Sequence, residues 1–542
     1  MGQGVSIGVD AELPDNAAVV DAVPAGSRAV VVAAGILLSR MSGLLRESVF
    51  AHFFGDSAAA DAFKAAFRIP NILQNLFGEG VLSASFIPVY SRLLGQGEQE
   101  LGDALAATLG AILSVTMALL VALGVFAAPY LIDAVAPGFV GAKRELTVSL
   151  VRIFFPGAGL LVMSAWCLGI LNSHHRFFAA YVAPVAWNCA IIATMLLYGP
   201  HHRQDTLARL TAWGAVIGSV LQVAVQMPQV LLLVRHLRVD LIRTRQALRA
   251  VGNNFLPVVT GRGVVQISAY IDNLLASLLP TGAVAAFNYA QILYLLPISL
   301  FGMSVAAAEL PTMARAVGAP EQVAEHLRQR LNRGLRQIAF MVVPSAAAFV
   351  LLGDVIVGAI FQSGHFTHAD ALYVWSILAG SAIGLLAVTM GRLYSSAFYA
   401  LWDTRTPLKF ALVRVALTIA AGYLCAIVLP PRLGIPIRWG VAGLTFSAGV
   451  AGWLEFALLR HALNRRVGRS GLPKRYVLQL WTMALVAGAV GLGLKLALGT
   501  SGPRLLALAV LPGYGLTYLG LAYWLGLPEL ASVASRLFGR RA

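Results

Sequence analysis

Apolar runs of about twenty residues or more recur along almost the whole chain, separated by short stretches that gather Arg, Lys, Gly and Pro. Runs of that length cross the roughly 30 Å hydrocarbon core of a bilayer as helices. A membrane β-barrel would instead alternate apolar and polar residues. The pattern predicts fourteen spans, near 28–53, 59–91, 103–132, 146–172, 177–198, 208–234, 254–279, 283–314, 335–361, 371–400, 407–429, 437–460, 475–497 and 504–526. Two segments, 239–252 and 319–333, carry Leu or Val at helical spacing among charges that are too many for crossing, and are predicted to lie along the membrane interface. The fold class is therefore an all-α polytopic membrane protein.

Composition agrees with the pattern: of 542 residues 58% are hydrophobic and only 12% charged, with a mean hydropathy of +0.77, against roughly 25% charged in soluble domains. The net charge of +16 does not indicate a nucleic-acid partner, because the basic residues sit in short loops and helix ends without a basic, aromatic domain. Membrane topology explains them better. Arg235, Arg238, Arg243, Arg245 and Arg249 follow span six; Arg328, Arg330, Arg333 and Arg336 follow span eight; Arg460, Arg465, Arg466, Arg469, Lys474 and Arg475 follow span twelve. The positive-inside rule places these loops, and with an even span count both termini, in the cytoplasm of a multi-pass inner-membrane protein. Lys143, Arg144 and Arg203, on the opposite side, weaken the contrast. Residues 1–27 lack a basic n-region and a compact apolar core, so they read as a disordered cytoplasmic tail rather than a signal peptide. Cys167, Cys189 and Cys425 each lie in an apolar run without CxxC or histidine-paired spacing, which reads as packing and excludes a zinc site or disulfide framework.

The chain carries a weak internal repeat. Setting the segment from Glu47 beside the one from Asp272 pairs Glu47 with Asp272 and Ala51 with Ala276, then, after a one-residue gap, Ala62-Phe63 with Ala286-Phe287. Six spans separate the copies, so they run in the same direction, as parallel repeats do in some transporters. The expected organisation is an N-terminal lobe over 28–235 (six helices), an interfacial linker helix over 236–253, a C-terminal lobe over 254–462 (six helices), two extra helices over 463–530 and a cytoplasmic tail over 531–542.

Ionisable residues in mid-span are costly, so they are expected to face a bundle interior or a watery cavity. Span one carries Arg40, Arg46 and Glu47; span two carries Asp61, Lys64 and Arg68 before Pro70, then Glu79 between glycines. Arg40 and Arg46 can supply planar, permanently charged donors to a phosphate. An equally good reading is an ion-pair network, Arg46 with Glu47 or Arg40 with Asp61, that only fixes packing. Arg262 and Asp272, ten residues apart on span seven, fall roughly on one face and can line the lobe interface or pair with other helices. Lone Arg152, Glu309, Asp354, Arg392, Arg414, Glu455 and Lys495 are read as structural or snorkelling residues. No Walker A motif, HExxH spacing or nucleophile–histidine pair occurs, so no enzyme activity, cofactor or metal is expected.

The run from Ser39 to Tyr90, SRMSGLLRESVFAHFFGDSAAADAFKAAFRIPNILQNLFGEGVLSASFIPVY, resembles the most characteristic stretch of the MurJ or MviN lipid II flippases. APGF at 136–139, QIS at 266–268, ELPTMAR near 309 and FQSGHFT at 361–367 extend the likeness. The resemblance implies a multidrug/oligosaccharidyl-lipid/polysaccharide exporter fold: two six-helix lobes around a central cavity plus two helices bearing a lipid-tail groove. It implies a transporter whose partner is lipid II, the undecaprenyl-diphosphate-linked disaccharide-peptide, flipped to the outer leaflet for peptidoglycan synthesis. It also implies substrate-binding roles for Arg40, Arg46, Asp61, Arg68, Asn71 and Glu79, with Ser39 and Glu47 beside them. The sequence departs from the family at Gln74, Asn75, Gln291 and Ile292, where arginines or Asp-Arg are frequent, and Arg262 with Asp272 is expected to restore charge to the same cavity. The competing readings are an exporter of another lipid-linked oligosaccharide or drug, and a non-transporting scaffold that binds cell-wall synthesis proteins.

Overall fold

The computed structural model of the chain describes residues 25–234, 238–315, 319–499 and 502–530. The tails expected over 1–24 and 531–542 lie outside the described residues. The first half is built of α1 (Ala25–Phe54), α2 (Ala58–Phe77), α3 (Glu79–Ser85), α4 (Ile87–Gly95), α5 (Gln99–Val135), α6 (Gly141–Ser173), α7 (Phe177–Tyr198) and α8 (Gln204–Leu233). The second half follows with α9 (Arg245–Ser277), α10 (Ala283–Pro297), α11 (Ser304–Ala314), α12 (Pro320–Leu351), α13 (Gly353–Phe361), α14 (His368–Ala400), α15 (Arg405–Tyr423), α16 (Leu429–Arg432) and α17 (Gly440–Val467). The chain closes with α18 (Lys474–Leu498) and α19 (Pro503–Trp524). Twelve helical stretches among the described residues are long and apolar enough to cross a membrane. With α1 and α9, of 30 and 33 residues, they make fourteen in the expected order. The only β-type pairing among the described residues is an isolated bridge between Ser363 and Phe366.

Two expectations need correction. The polar segments 239–252 and 319–333 are not separate interfacial helices: α9 runs unbroken from Arg245 and α12 from Pro320. Continuing an existing helix satisfies their backbone at no nucleation cost, and the charges then extend beyond the bilayer on the helix end.

One lobe packs α2, α5, α7 and α8 around α6, with α1 against α7; the other packs α10, α11, α12 and α17 around α14, with α15 against α17. The central helices are the buried ones, with 78% of the apolar window of α6 and 67% of that of α14 inside the protein. Such helices are hydrophobic all round because neighbours surround them. α18 lies against α12, and α19 against α13 and α18. Pro344 within α12 has no N–H, which strips the Phe340 carbonyl of its helical partner. Tyr518 of α19 donates its hydroxyl to that carbonyl at 2.8 Å, and Tyr514 donates to the Pro344 carbonyl at 2.7 Å. A helix break in lipid is thus repaired by the neighbouring helix.

The basic clusters collect at one end of the bundle, between α8 and α9, α11 and α12, and α17 and α18. At the other end, the turn end, Arg144 forks onto Asp133 at 2.6 and 2.8 Å, and Lys143 meets Asp61 at 2.6 Å. These cations, which blur the charge asymmetry in sequence, are neutralised in place.

Candidate functional site

At the turn end the two lobes are sealed to each other by the motifs that the sequence singles out. Asp61, fully buried in α2, accepts the backbone N–H groups of Gly282 and Ala285, both at 2.8 Å, so a carboxylate of one lobe caps the first turn of α10 in the other. Lys143 completes its coordination and lies 4.0 Å from the Phe139 ring of APGF. Gly138 of the same motif is so close to the Ser277 carbonyl that a Cβ there would sit 2.0 Å from its oxygen. Gly282, at φ +95°, lets the α9–α10 turn lie against the backbone of Asp56 in the α1–α2 turn. The two turns that the repeat pairs in sequence therefore meet in space, and Tyr289 donates to the Gly55 carbonyl across them at 3.1 Å. The FQSGHFT loop closes the rest: His365 N–H donates to His52 O at 2.8 Å, and Phe361 and Phe366 pack on Tyr289.

Below the seal, α2 contributes residues to two cavities. In the first lobe, a cavity of about 320 Å³ is lined by Ser39, Arg46, Asn71, Gln74, Trp187 and Asn188 among others. Arg46 is fixed three ways: Nη1 donates to Asn188 Oδ1 at 3.0 Å, Nη2 to Glu47 Oε1 at 2.6 Å, and the guanidinium lies 4.8 Å from the Trp187 ring centre. Glu47 also accepts from Lys64, whose ammonium rests over Phe50. One carboxylate thus serves two cations, and the cluster keeps a net positive charge. Asn188 donates in turn to Ser42 at 2.8 Å, which orients the amide. Arg46 has five N–H donors and two of its nitrogens are used here, so donors remain for an anion.

A larger cavity, about 420 Å³, is lined by Arg68, Asp272, Gln291, Tyr294, Arg392 and Arg414 among others. The Arg68 guanidinium lies 5.1 Å from the Tyr270 ring centre, and Tyr270 donates its hydroxyl to the Arg68 carbonyl at 2.7 Å. Arg40 points across the gap to the second lobe, with Nη1 at 3.3 Å from Ser299 Oγ. Ser299 lies in a π-helical turn, Ile298–Met303, directly after Pro297, a distortion that often marks functional positions.

The expected site residues therefore divide. Ser39, Arg46 and Asn71 share one cavity, with Glu47 holding Arg46 from beside it. Arg68 and Asp272 share the other. Asp61 does not pair with Arg40 and faces neither cavity; it belongs to the seal. The expectation that Asp272 joins Arg46 in one cavity is not met: the two residues line cavities that share no lining residue. The side chains of Arg262, on α9, and Glu79, at the start of α3, lie outside the described residues. Gln74 lines the first cavity, and Gln291 and Ile292 the second. Sequence reasoning passed over Asn188, a lone amide in an apolar span, and read Arg392 and Arg414 as structural. The cost of a mid-span charge was the available signal for both arginines. Of the cysteines, Cys167 is buried as expected, whereas Cys189 is exposed on the helix surface.

The Lipid II flippase MurJ family profile matches residues 50–508. The lipid II flippase MurJ of Burkholderia cenocepacia is 32% identical over 475 residues, covering 85% of this chain and 88% of that protein. A probable lipid II flippase MurJ of Rhizobium tropici is 31% identical, covering 85% of each. Among solved structures, a lipid II flippase MurJ in an inward closed conformation superposes with a TM-score of 0.73 at 23% identity, covering 94% of this chain and all of that one. An inward-facing multidrug resistance MATE family transporter of the MOP superfamily superposes at 0.64 and 18% identity, over 81% of this chain and 98% of its own. The two-lobed fold is thus shared with transport proteins, and the chain belongs to the MurJ family of lipid II flippases.

Proposed function

We propose that this chain flips lipid II from the cytoplasmic to the outer leaflet of the inner membrane by alternating access, with both termini in the cytoplasm. The observation that carries the reading is Arg46: a guanidinium anchored on three sides, facing a membrane-embedded cavity, with donors left over. Such a group suits the diphosphate, which it can grip through two parallel N–H bonds. Arg40 supplies a second positive charge where the lobes meet. Closure at the turn end leaves the basic end as the side of loading, and the positive-inside rule makes that side cytoplasmic. The lobes then rock so that the seal opens. The prenyl tail stays in lipid along α18 and α19, whose Leu505, Leu508 and Leu516 are 67%, 72% and 71% exposed. In cells depleted of their own flippase, the gene should restore growth, and Arg46→Ala should not while remaining abundant in the membrane. A folded wild-type protein that fails to support growth would overturn the reading.

A further inference from the structure

The larger cavity is lined by an arginine, Arg392, whose guanidinium has no partner among the described residues. Arg392 lies eight residues from the basic end of α14 and Arg414 nine from that of α15, each roughly two turns or more inside its helix. Both line the cavity, so neither simply reaches up a lipid-facing surface. Arg414 Nε meets Glu455 Oε2 at 3.3 Å. The Arg392 guanidinium has no hydrogen bond or ion pair among the described residues; the residue's carbonyl accepts from Ser396 Oγ at 3.1 Å. The adjacent acid, Glu455, pairs with Arg414, which leaves the Arg392 guanidinium without an acid of its own among the described residues. An unpaired guanidinium at this depth is costly to keep and marks a binding position by default. The remaining polar wall consists of amides and hydroxyls, Asn288, Gln291 and Thr418, which suit a ligand rich in hydrogen-bonding groups.

On the reading that Arg46 holds the diphosphate, this cavity, which shares no lining residue with that of Arg46, takes another part of the substrate. The remaining head group is a disaccharide and a peptide, and a peptide ends in a carboxylate. We propose that Arg392 and Arg414 form a second anion subsite that receives a carboxylate of the substrate's peptide. Arg392 binds the carboxylate through its fork, and Arg414, tethered by Glu455, adds charge and a further donor. The subsite makes the transporter selective for lipids that carry an acidic peptide.

Binding by the purified full-length protein in lipid nanodiscs tests this with three ligands: lipid II, lipid II with its peptide carboxylates amidated, and the undecaprenyl-diphosphate disaccharide without peptide. Wild type should prefer lipid II over both others, and Arg392→Gln should reduce that preference by about tenfold, the loss of one charge-assisted contact. Arg392→Lys should recover part of it, because charge remains without the fork. Arg46→Gln should weaken all three ligands alike. Equal affinity of wild type for the three ligands, or an equal loss on all three in Arg392→Gln, would overturn the subsite, the latter by assigning Arg392 to the phosphates. An Arg46→Gln protein that binds all three as wild type does would instead remove the diphosphate reading while the carboxylate preference could still be scored. Unchanged thermal unfolding of each variant establishes that a loss is not misfolding.

Discussion

Replacing Asp61 by alanine should open the turn end. In the sealed state its carboxylate is 0% exposed and accepts two backbone N–H groups at 2.8 Å and the Lys143 ammonium at 2.6 Å. Alanine leaves Lys143 and the first turn of α10 buried without a partner. Removing one member of a buried ion pair costs about 3–5 kcal/mol. The cost falls on the sealed state alone, because parting the lobes returns the ammonium and the free N–H groups to water. At about 1.4 kcal/mol per factor of ten, the equilibrium should move toward the open state by roughly two to four orders of magnitude. Asp61→Asn keeps an acceptor but loses the charge, and should fall between wild type and alanine. Spin labels at Ala58 and Thr281, both exposed and on the two facing turns, report the separation by double electron–electron resonance in nanodiscs. A short distance in wild type and a long one in Asp61→Ala is the expected outcome. A folded Asp61→Ala protein whose distance distribution matches wild type would refute the assignment of this carboxylate to the seal.

Three further outcomes are expected. Burial, with the charges of Asp370 and Asp61 adding to it against the opposing Arg438, holds the Asp56 carboxyl well above the usual range in the sealed turn, and both its oxygens lack hydrogen-bond partners. Tyr289 and Gly282 of α10 and its turn face it as well. A carboxyl whose pKa is raised in the sealed state favours that state when protonated, so its contribution is full below the ordinary carboxylate pKa and is lost as pH rises through the raised value; the Ala58–Thr281 distance should lengthen with rising pH, and Asp56→Asn should flatten the profile. Tyr518→Phe strips the Phe340 carbonyl of the hydroxyl that stands in for the N–H missing at Pro344 and should cost about 1–3 kcal/mol, read as a lower midpoint in a thermal unfolding series, whereas a midpoint equal to wild type would show that the carbonyl finds another donor. Arg46→Lys keeps charge without the fork and should support growth partially, while Arg40→Ala should lose growth support at normal abundance; abundant and fully active Arg40→Ala protein would leave its contact with Ser299 as packing.

The span count and order were legible because each helix needs about twenty apolar residues, a signal that tertiary packing cannot erase. What periodicity could not reveal was where a polar helix end stops: the charges over 320–333 exclude burial in lipid but not helical continuity with span nine. Arg46 and Glu47 were readable as a pair since they adjoin in sequence, and the structure shows that ion pair with the guanidinium lining a cavity. Two of the three partners of Asp61 are backbone N–H groups in the other half of the chain, which leave no trace in residue identity, and the third, Lys143, lies 82 residues away. That Asp272 and Arg46 line different cavities was illegible for a related reason: helical spacing gives the face of a helix and not what stands opposite it. Arg392 and Arg414 were visible as mid-span charges and were discounted only because snorkelling could explain each alone.

The account stands or falls on the lipid itself. Outer-leaflet lipid II should be quantified in cells depleted of their own flippase and expressing this chain or its Arg46→Ala variant at matched membrane abundance. Recovery of outer-leaflet lipid II with the wild-type chain and its absence with Arg46→Ala is the predicted result. Abundant, folded wild-type protein that leaves lipid II confined to the cytoplasmic leaflet would contradict it.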